Sequence, residues 1–301
     1  MKETFLCEPI KEVINKRPYV VSGDIKCLLQ QWAYKKNFRL PNDEFFDKLR
    51  SNFSLFMIQV FPEFEFVTEK ELVDGLNALV KKNGLPTLSL DRVYFPSDVR
   101  IDIARQIDIG GVDKGLGRRA DSPFLLEQFR KLRDSGVKEV SLVDDVIFSG
   151  DLIARVGKVL KSVGINVGEI YAGIGIKEGM DLLKNKGYRV GCVRSYESVI
   201  DEICERDFYP GVPLSGRLVD SENNVGAPYI LPFGNPGKWA SVPQNCQIPF
   251  SRFCLNQTVQ LFEGIEKISN RIVTCADLER KVVSLPQDGT RFIDALLQQS
   301  L

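Results

Sequence analysis

The chain has 301 residues, 40 of them basic and 40 acidic, so it carries no net charge and no global field that would draw it to nucleic acid or anionic lipid. Hydrophobic residues make up 44% and charged residues 27%, the proportions of an ordinary soluble globule with core enough for one large domain or two small ones. Histidine is absent, which excludes Ser-His-Asp and Cys-His nucleophile systems, His-ligated zinc and an imidazole general base within the chain.

Seven cysteines, at positions 7, 27, 192, 204, 246, 254 and 275, form no C-x-x-C pair and read as reduced thiols. Met1-Lys2-Glu3-Thr4-Phe5-Leu6 is no signal peptide, and no apolar stretch approaches the length of a membrane span. The expected location is the cytoplasm.

The first ninety residues read as α-rich. Segments 24–36, 42–50 and 68–82 each carry helical periodicity, and Thr68-Glu69-Lys70-Glu71 has the form of a capping box. The aromatic-dense stretch 55–66 reads as core or a helix-packing seam. A strand is expected over 91–96, leading into Ser97-Asp98-Val99-Arg100. Residues 109–120 place four glycines among the cations Lys114, Arg118 and Arg119, a loop able to close basic groups over an anion or simply a solvated connection. Asp121-Ser122-Pro123 then starts a helix over 124–133. Two further apolar strands, 169–176 and 188–193, flank a short helix around 180–185. This alternation predicts an α/β fold, a mostly parallel sheet with crossover helices. Segment 206–217 is a loop by its Pro/Gly spacing, as is 226–243, and helices over 251–268 and 275–282 follow.

The central motif is Val140-Ser141-Leu142-Val143-Asp144-Asp145-Val146-Ile147-Phe148-Ser149-Gly150-Asp151-Leu152. Residues 137–143 form a short β-branched run suited to a strand covered on both faces. Leu152, Ile153, Val156, Val159, Leu160 and Val163 then recur at helical spacing, and Gly164 stands where a C′ glycine would end the helix. The segment reads as strand, acid pair, short turn and helix. Amides of a first helical turn lack intrahelical acceptors and point outward, so a phosphate fits there, with Ser149 adding a hydroxyl and Gly150 allowing close approach. Asp144 and Asp145 can accept from two neighbouring ribose hydroxyls or hold a hydrated Mg²⁺ bridged to them. That combination suits a ribose 5-phosphate. A strand-end acid of an ordinary doubly wound domain is the plainer reading, and a receiver domain would need its acid pair near the domain start.

At these residues the sequence resembles the type I phosphoribosyltransferases, whose signature is a strand, two acids, two apolar residues and a Thr/Ser-Gly loop. The likeness covers residues 140–152 and includes the aromatic Phe148. Two positions depart from it: Asp151 stands where the family usually has Gly, Ala, Arg or Lys, and Leu152 where it has Thr or Ser. A carboxylate beside a bound phosphate is repulsive unless turned away or offset by a cation.

The resemblance implies a core over 89–220, an α-rich N-terminal addition over 1–88 and a C-terminal extension of loops and helices over 221–301. It further implies Mg²⁺-dependent transfer of phosphoribosyl between phosphoribosyl pyrophosphate and a nitrogenous base. Asp144 and Asp145 would hold ribose and metal, while Val146, Phe148, Ser149, Gly150, Asp151 and Leu152 would surround the 5-phosphate. Ser97 and Arg100 carry over to the loop that contacts pyrophosphate, and Lys114, Arg118 and Arg119 to the mobile basic loop that neutralises it. Phe208 or Tyr209 would stack on the base. A homodimer, with neither membrane nor nucleic acid as partner, completes the expectation. The second reading is a non-catalytic nucleotide or ribose-phosphate sensor on the same fold, and Asp151 and Leu152 point toward it.

Overall fold

The computed structural model describes residues 17–80, 84–120, 122–220 and 223–299. Cys7 and Asp121, named above, lie outside them. In chain order the first elements are β1 (Tyr19–Ser22), α1 (Ile25–Lys36), α2 (Asp43–Val60), β2 (Phe64–Val67), α3 (Glu69–Val80), β3 (Thr87–Ser89), β4 (Val99–Arg100), β5 (Ile103–Ile107) and β6 (Asp113–Arg118). The middle of the chain forms α4 (Leu125–Asp134), β7 (Glu139–Ile147), α5 (Asp151–Ser162), β8 (Asn166–Ile176), α6 (Lys177–Asn185), β9 (Arg189–Tyr196) and β10 (Asp201–Cys204). Then follow β11 (Arg217–Val219), β12 (Val225–Ala227), α7 (Pro236–Trp239), α8 (Gln247–Ser269), β13 (Lys281–Val282) and α9 (Phe292–Leu297). No helix among these is long and apolar enough to cross a membrane.

The fold is α/β, with parallel strands joined by crossover helices. Among the described residues, 17–66, 105–115 and 200–299 form one unit, and 67–104 and 116–199 another.

The second unit holds a five-stranded sheet in the order β4-β3-β7-β8-β9, with all four pairings parallel. Its central strand β7 reads as the sequence suggests: Val140, Leu142 and Val143 are fully buried because covering layers leave no face for polar residues. Ile153, Val156 and Leu160 of α5 pack into the same core, with Phe129 and Leu132 of α4. Gly164 does follow α5, with φ +82°, a conformation that costs a residue with a Cβ. Gly75 of α3 faces Val193 of β9, where a Cβ would be 2.6 Å from a valine methyl.

Three local expectations need correction. The helix expected over 275–282 is a single 3-10 turn at Cys275–Asp277 followed by strand β13. The strand expected over 91–96 lies earlier, at β3, because Asp91 turns the chain by accepting the amides of Val93 (2.9 Å) and Tyr94 (2.6 Å). The Gly-rich segment 109–120 is largely strand β6. Asp108 Oδ1 accepts from Gly110 and Val112, and Gly111 takes φ +80°, making a tight reversal after β5.

In the first unit, the aromatic stretch is indeed a packing seam: α2 runs on to Val60, and Phe56 stacks on Phe253 of α8 at 4.2 Å. A sheet in the order β10-β1-β2 lies beside buried charges. Glu205, with 0% exposure, accepts from Arg50 through Nε at 3.1 Å and Nη2 at 2.9 Å, and from the Asp24 amide at 3.2 Å. Asp24 pairs with Arg206 and accepts the Arg206 amide at 2.9 Å. Removing one partner of such a pair strands a buried charge and typically costs about 3–5 kcal/mol.

Burial pushes the Asp24 carboxyl up to about 7; Arg206 draws it back, and Glu205 and Asp207 push it further. The folded chain therefore keeps a proton that the unfolded chain has lost, so this contribution to stability is full below pH 3.8 and drains away as pH rises toward about 7. Urea unfolding of the Asp24→Asn variant should show a shallower decline over that window than the wild type; an unchanged slope would assign the dependence elsewhere.

Candidate functional site

The acid pair lies in the second half of β7, with Val146 and Ile147 still pairing with β8 after it, toward the carboxyl edge of the parallel sheet. Asp144 is 5% exposed and Asp145 half-buried. Each carboxylate accepts the next backbone amide, Asp144 from Asp145 at 3.0 Å and Asp145 from Val146 at 2.8 Å. The Asp144 carboxyl holds its proton well above the usual carboxylate range, because of burial first, then the charges of Asp145 and Asp91.

Asp91 is the member the sequence reading missed. It follows β3, is 4% exposed, and reaches the acid pair through strand pairing, since Leu90 donates its amide to Val143 O at 2.9 Å. The available signal was Ser89-Leu90-Asp91, an apolar strand ending in an acid as β7 does.

The turn into α5 is built on close backbone approach. Gly150 has φ +77°, and a Cβ there would sit 2.8 Å from the carbonyl oxygen of Gly179 in α6. A Cβ added at Gly179 would in turn sit 2.8 Å from the Gly150 nitrogen. Only glycine satisfies both demands at 150. Ser149 is exposed; its hydroxyl donates to Asp151 Oδ2 at 3.1 Å and accepts the Asp151 amide at 3.3 Å. The Asp151 carboxylate is thus folded back over the turn, where it opposes a second anion. Phe148 is 39% exposed, Val146 half-buried, and Leu152 packs against the core of its own sheet. Leu152 and Ile153, in the first turn of α5, have amides without an intrahelical acceptor.

The other expected residues divide. Arg100 is exposed at the end of β4, in register with Ser89 and through it with Val143, so it stands two strands from the acid pair. Ser97 donates its hydroxyl to Val99 O at 2.7 Å. Arg118 lies over the Phe124 ring, 4.8 Å from its centroid, and donates to Ser122 O, while Arg119 is half-buried with its amide on Asp102 O. Both are anchored where a mobile loop was expected. Lys114 is exposed and belongs to the first unit.

Phe208 and Tyr209 require a correction. Both are 0% exposed in the first unit, Phe208 set edge-on to Phe250 at 5.2 Å and tilted against Phe53 at 5.8 Å. They are core, and neither presents a face to a base.

Among the described residues no group of three or more His, Cys, Asp or Glu side chains is arranged to hold a metal ion. None of the six described cysteines forms a disulfide.

Parts of the chain are similar to solved structures. UMP synthase from Leishmania donovani matches at 14% identity and a TM-score of 0.27, over 42% of this chain and 27% of that one. Orotate phosphoribosyltransferase from Aeropyrum pernix matches at 20% and 0.26, over 40% and 69%. Adenine phosphoribosyltransferase from Thermoanaerobacter pseudethanolicus matches at 13% and 0.29, over 42% and 79%. The match thus spans little more than a quarter of the Leishmania protein. No family model and no curated protein matches the chain.

The packing of the turn makes a direct prediction. Gly150→Ala combines an unfavourable φ with a backbone collision and should lower stability by about 1–3 kcal/mol in urea unfolding. Ser149→Ala, at an exposed position, should stay within about 0.5 kcal/mol of wild type. Equal stabilities for the two variants would mean that the turn is not held against α6.

Proposed function

We propose that this chain binds the ribose 5-phosphate portion of phosphoribosyl pyrophosphate or of a nucleotide. In the same reading, its site is laid out for magnesium-dependent transfer of the phosphoribosyl group between pyrophosphate and a nitrogenous base. One observation carries the proposal: β7 holds two adjacent carboxylates near its carboxyl end, and four residues later the chain enters a glycine turn that starts a helix. Open parallel sheets bind ligands at that edge.

Each part of the site has a task in such a transfer. Asp145, the more exposed acid, accepts from one ribose hydroxyl. Asp144 in its protonated form can donate as well as accept, and so serves the neighbouring hydroxyl. The first amides of α5 receive the 5-phosphate along the helix dipole. Positive charge that develops on the ribose carbon during transfer is stabilised by the Asp145 carboxylate, and this needs no histidine. The hard oxygen donors suit Mg²⁺, which Asp145 would hold through water together with the ligand's own oxygens, supplying charge neutralisation for pyrophosphate. Asp144, desolvated and proton-retaining, is the weaker ligand of the pair.

A second reading has its own support. The Asp151 carboxylate lies on Ser149 in the turn, which weakens the grip on a phosphate and favours a sensor that binds without turnover.

The test joins thermal shift with turnover. Phosphoribosyl pyrophosphate and nucleotides, with and without Mg²⁺, should raise the melting temperature of the wild type. The Asp144→Asn/Asp145→Asn double variant should fold with little loss of stability and lose that response. Labelled phosphoribosyl pyrophosphate with a panel of bases then separates the readings: product formation supports transfer, and saturable binding without product supports the sensor. Absence of any stabilisation by these ligands would overturn both.

A further inference from the structure

The first unit contains a second polar cluster, unconnected in its chemistry with the acid pair. In the sheet ordered β13-β12-β11-β5-β6, β11 pairs with β5 in parallel, Leu218 opposite Gln106 and Val219 opposite Ile107. That register sets Arg217 directly beside Arg105, on the same face of the sheet. Like charges opposed across neighbouring strands are destabilising unless something between them is negative.

The surroundings of Arg217 are those of a prepared cation. It is 8% exposed, and its guanidinium carbon lies 4.9 Å from the Trp239 ring centroid and 5.8 Å from that of Tyr229. One terminal nitrogen donates to Asp113 on β6 at 2.9 Å. Its Nε is excluded from solvent and has no hydrogen-bond partner among the described residues. Arg105 is exposed, makes no ion pair among the described residues, and stands near enough to Asp113, Asp201 and Tyr229 to act on each electrostatically.

The nearby acids are already engaged. Asp207 accepts the Gly216 amide at 2.8 Å, and Asp201 accepts from Ser241 at 2.8 Å and from the Glu202 amide at 3.0 Å. A buried N–H of a charged group left without an acceptor is costly. Two neighbouring guanidinium groups, one backed by aromatic rings, favour an oxyanion able to accept from both.

We propose that Arg105 and Arg217 form a binding site for the phosphate or carboxylate group of a small ligand, with Trp239 and Tyr229 as its aromatic backing. The site does not depend on the acid pair.

Trp239 reports on it directly, since the chain has only two tryptophans and Trp32 is buried elsewhere with its indole N–H on Asp277 O. In the full chain carrying Trp32→Phe, titration with inorganic phosphate, citrate and a nucleoside monophosphate at constant ionic strength should change Trp239 emission saturably for at least one of them. The strongest responder identifies phosphate or carboxylate as the preferred group. Arg105→Ala, at an exposed position and so expected to fold, should weaken that response at least about tenfold, the loss of one charge-assisted hydrogen bond. Arg217→Lys should weaken it as well. The response should survive in Asp144→Asn/Asp145→Asn, so failure of this site and failure of the ribose-phosphate reading are seen separately. No saturable change with any of the three, an equal change with chloride, or an undiminished response in Arg105→Ala would overturn the proposal.

Discussion

Desolvation of a carboxylate at the end of β7 is the constraint on which the site rests. A parallel strand covered on both faces must be largely apolar, and in β7 Val140, Leu142 and Val143 are fully buried, with Ser141 the polar residue among them. Placing Asp144 next in line puts a charge where water scarcely reaches, with Asp145 and Asp91 close by. Such a group is tolerated if it keeps its proton or meets a partner that can share one. Under the proposed function, ribose hydroxyls are partners of that kind, and a feature that weakens the fold locally would become a preference for a ligand.

The turn answers the same constraint from the backbone side. Gly150 and Gly179 let two chain segments approach so closely that a Cβ on either would collide with the other's backbone, which fixes where α5 begins and where its first amides point. The acid pair and the helix start are therefore held by contacts that have no slack, while Ser149 and Asp151 above them are exposed and adjustable. Asp151 sets the balance between the two functional readings, because its charge must be moved or offset before a phosphate settles.

Much of this was legible in the residues. The β-branched run, the helical recurrence from Leu152 to Val163 and the glycine at 164 specify β7 and α5 through local periodicity, and local periodicity is what a single sequence displays. Asp91 was hidden because its role depends on which strand lies beside β7. The basic segment 109–120 looked mobile by its glycines, yet Asp108 and Gly111 turn it into a hairpin, and an aromatic ring and a carbonyl hold Arg118. Phe208 and Tyr209 lie in a Pro/Gly-rich stretch that suggests exposure; their burial follows from Phe53 and Phe250, distant in sequence. The pairing of Arg105 with Arg217 was likewise invisible, being a matter of register between strands more than a hundred residues apart.

The central claim is that the two acids read a pair of neighbouring sugar hydroxyls. Calorimetric titration of the intact chain with ribose 5-phosphate and with 2-deoxyribose 5-phosphate tests it most directly, since the ligands differ only in one of those hydroxyls. The account predicts that ribose 5-phosphate binds about tenfold tighter or more, the difference expected when a buried hydrogen-bonding group is left without its partner. Equal affinities for the two sugars would contradict it.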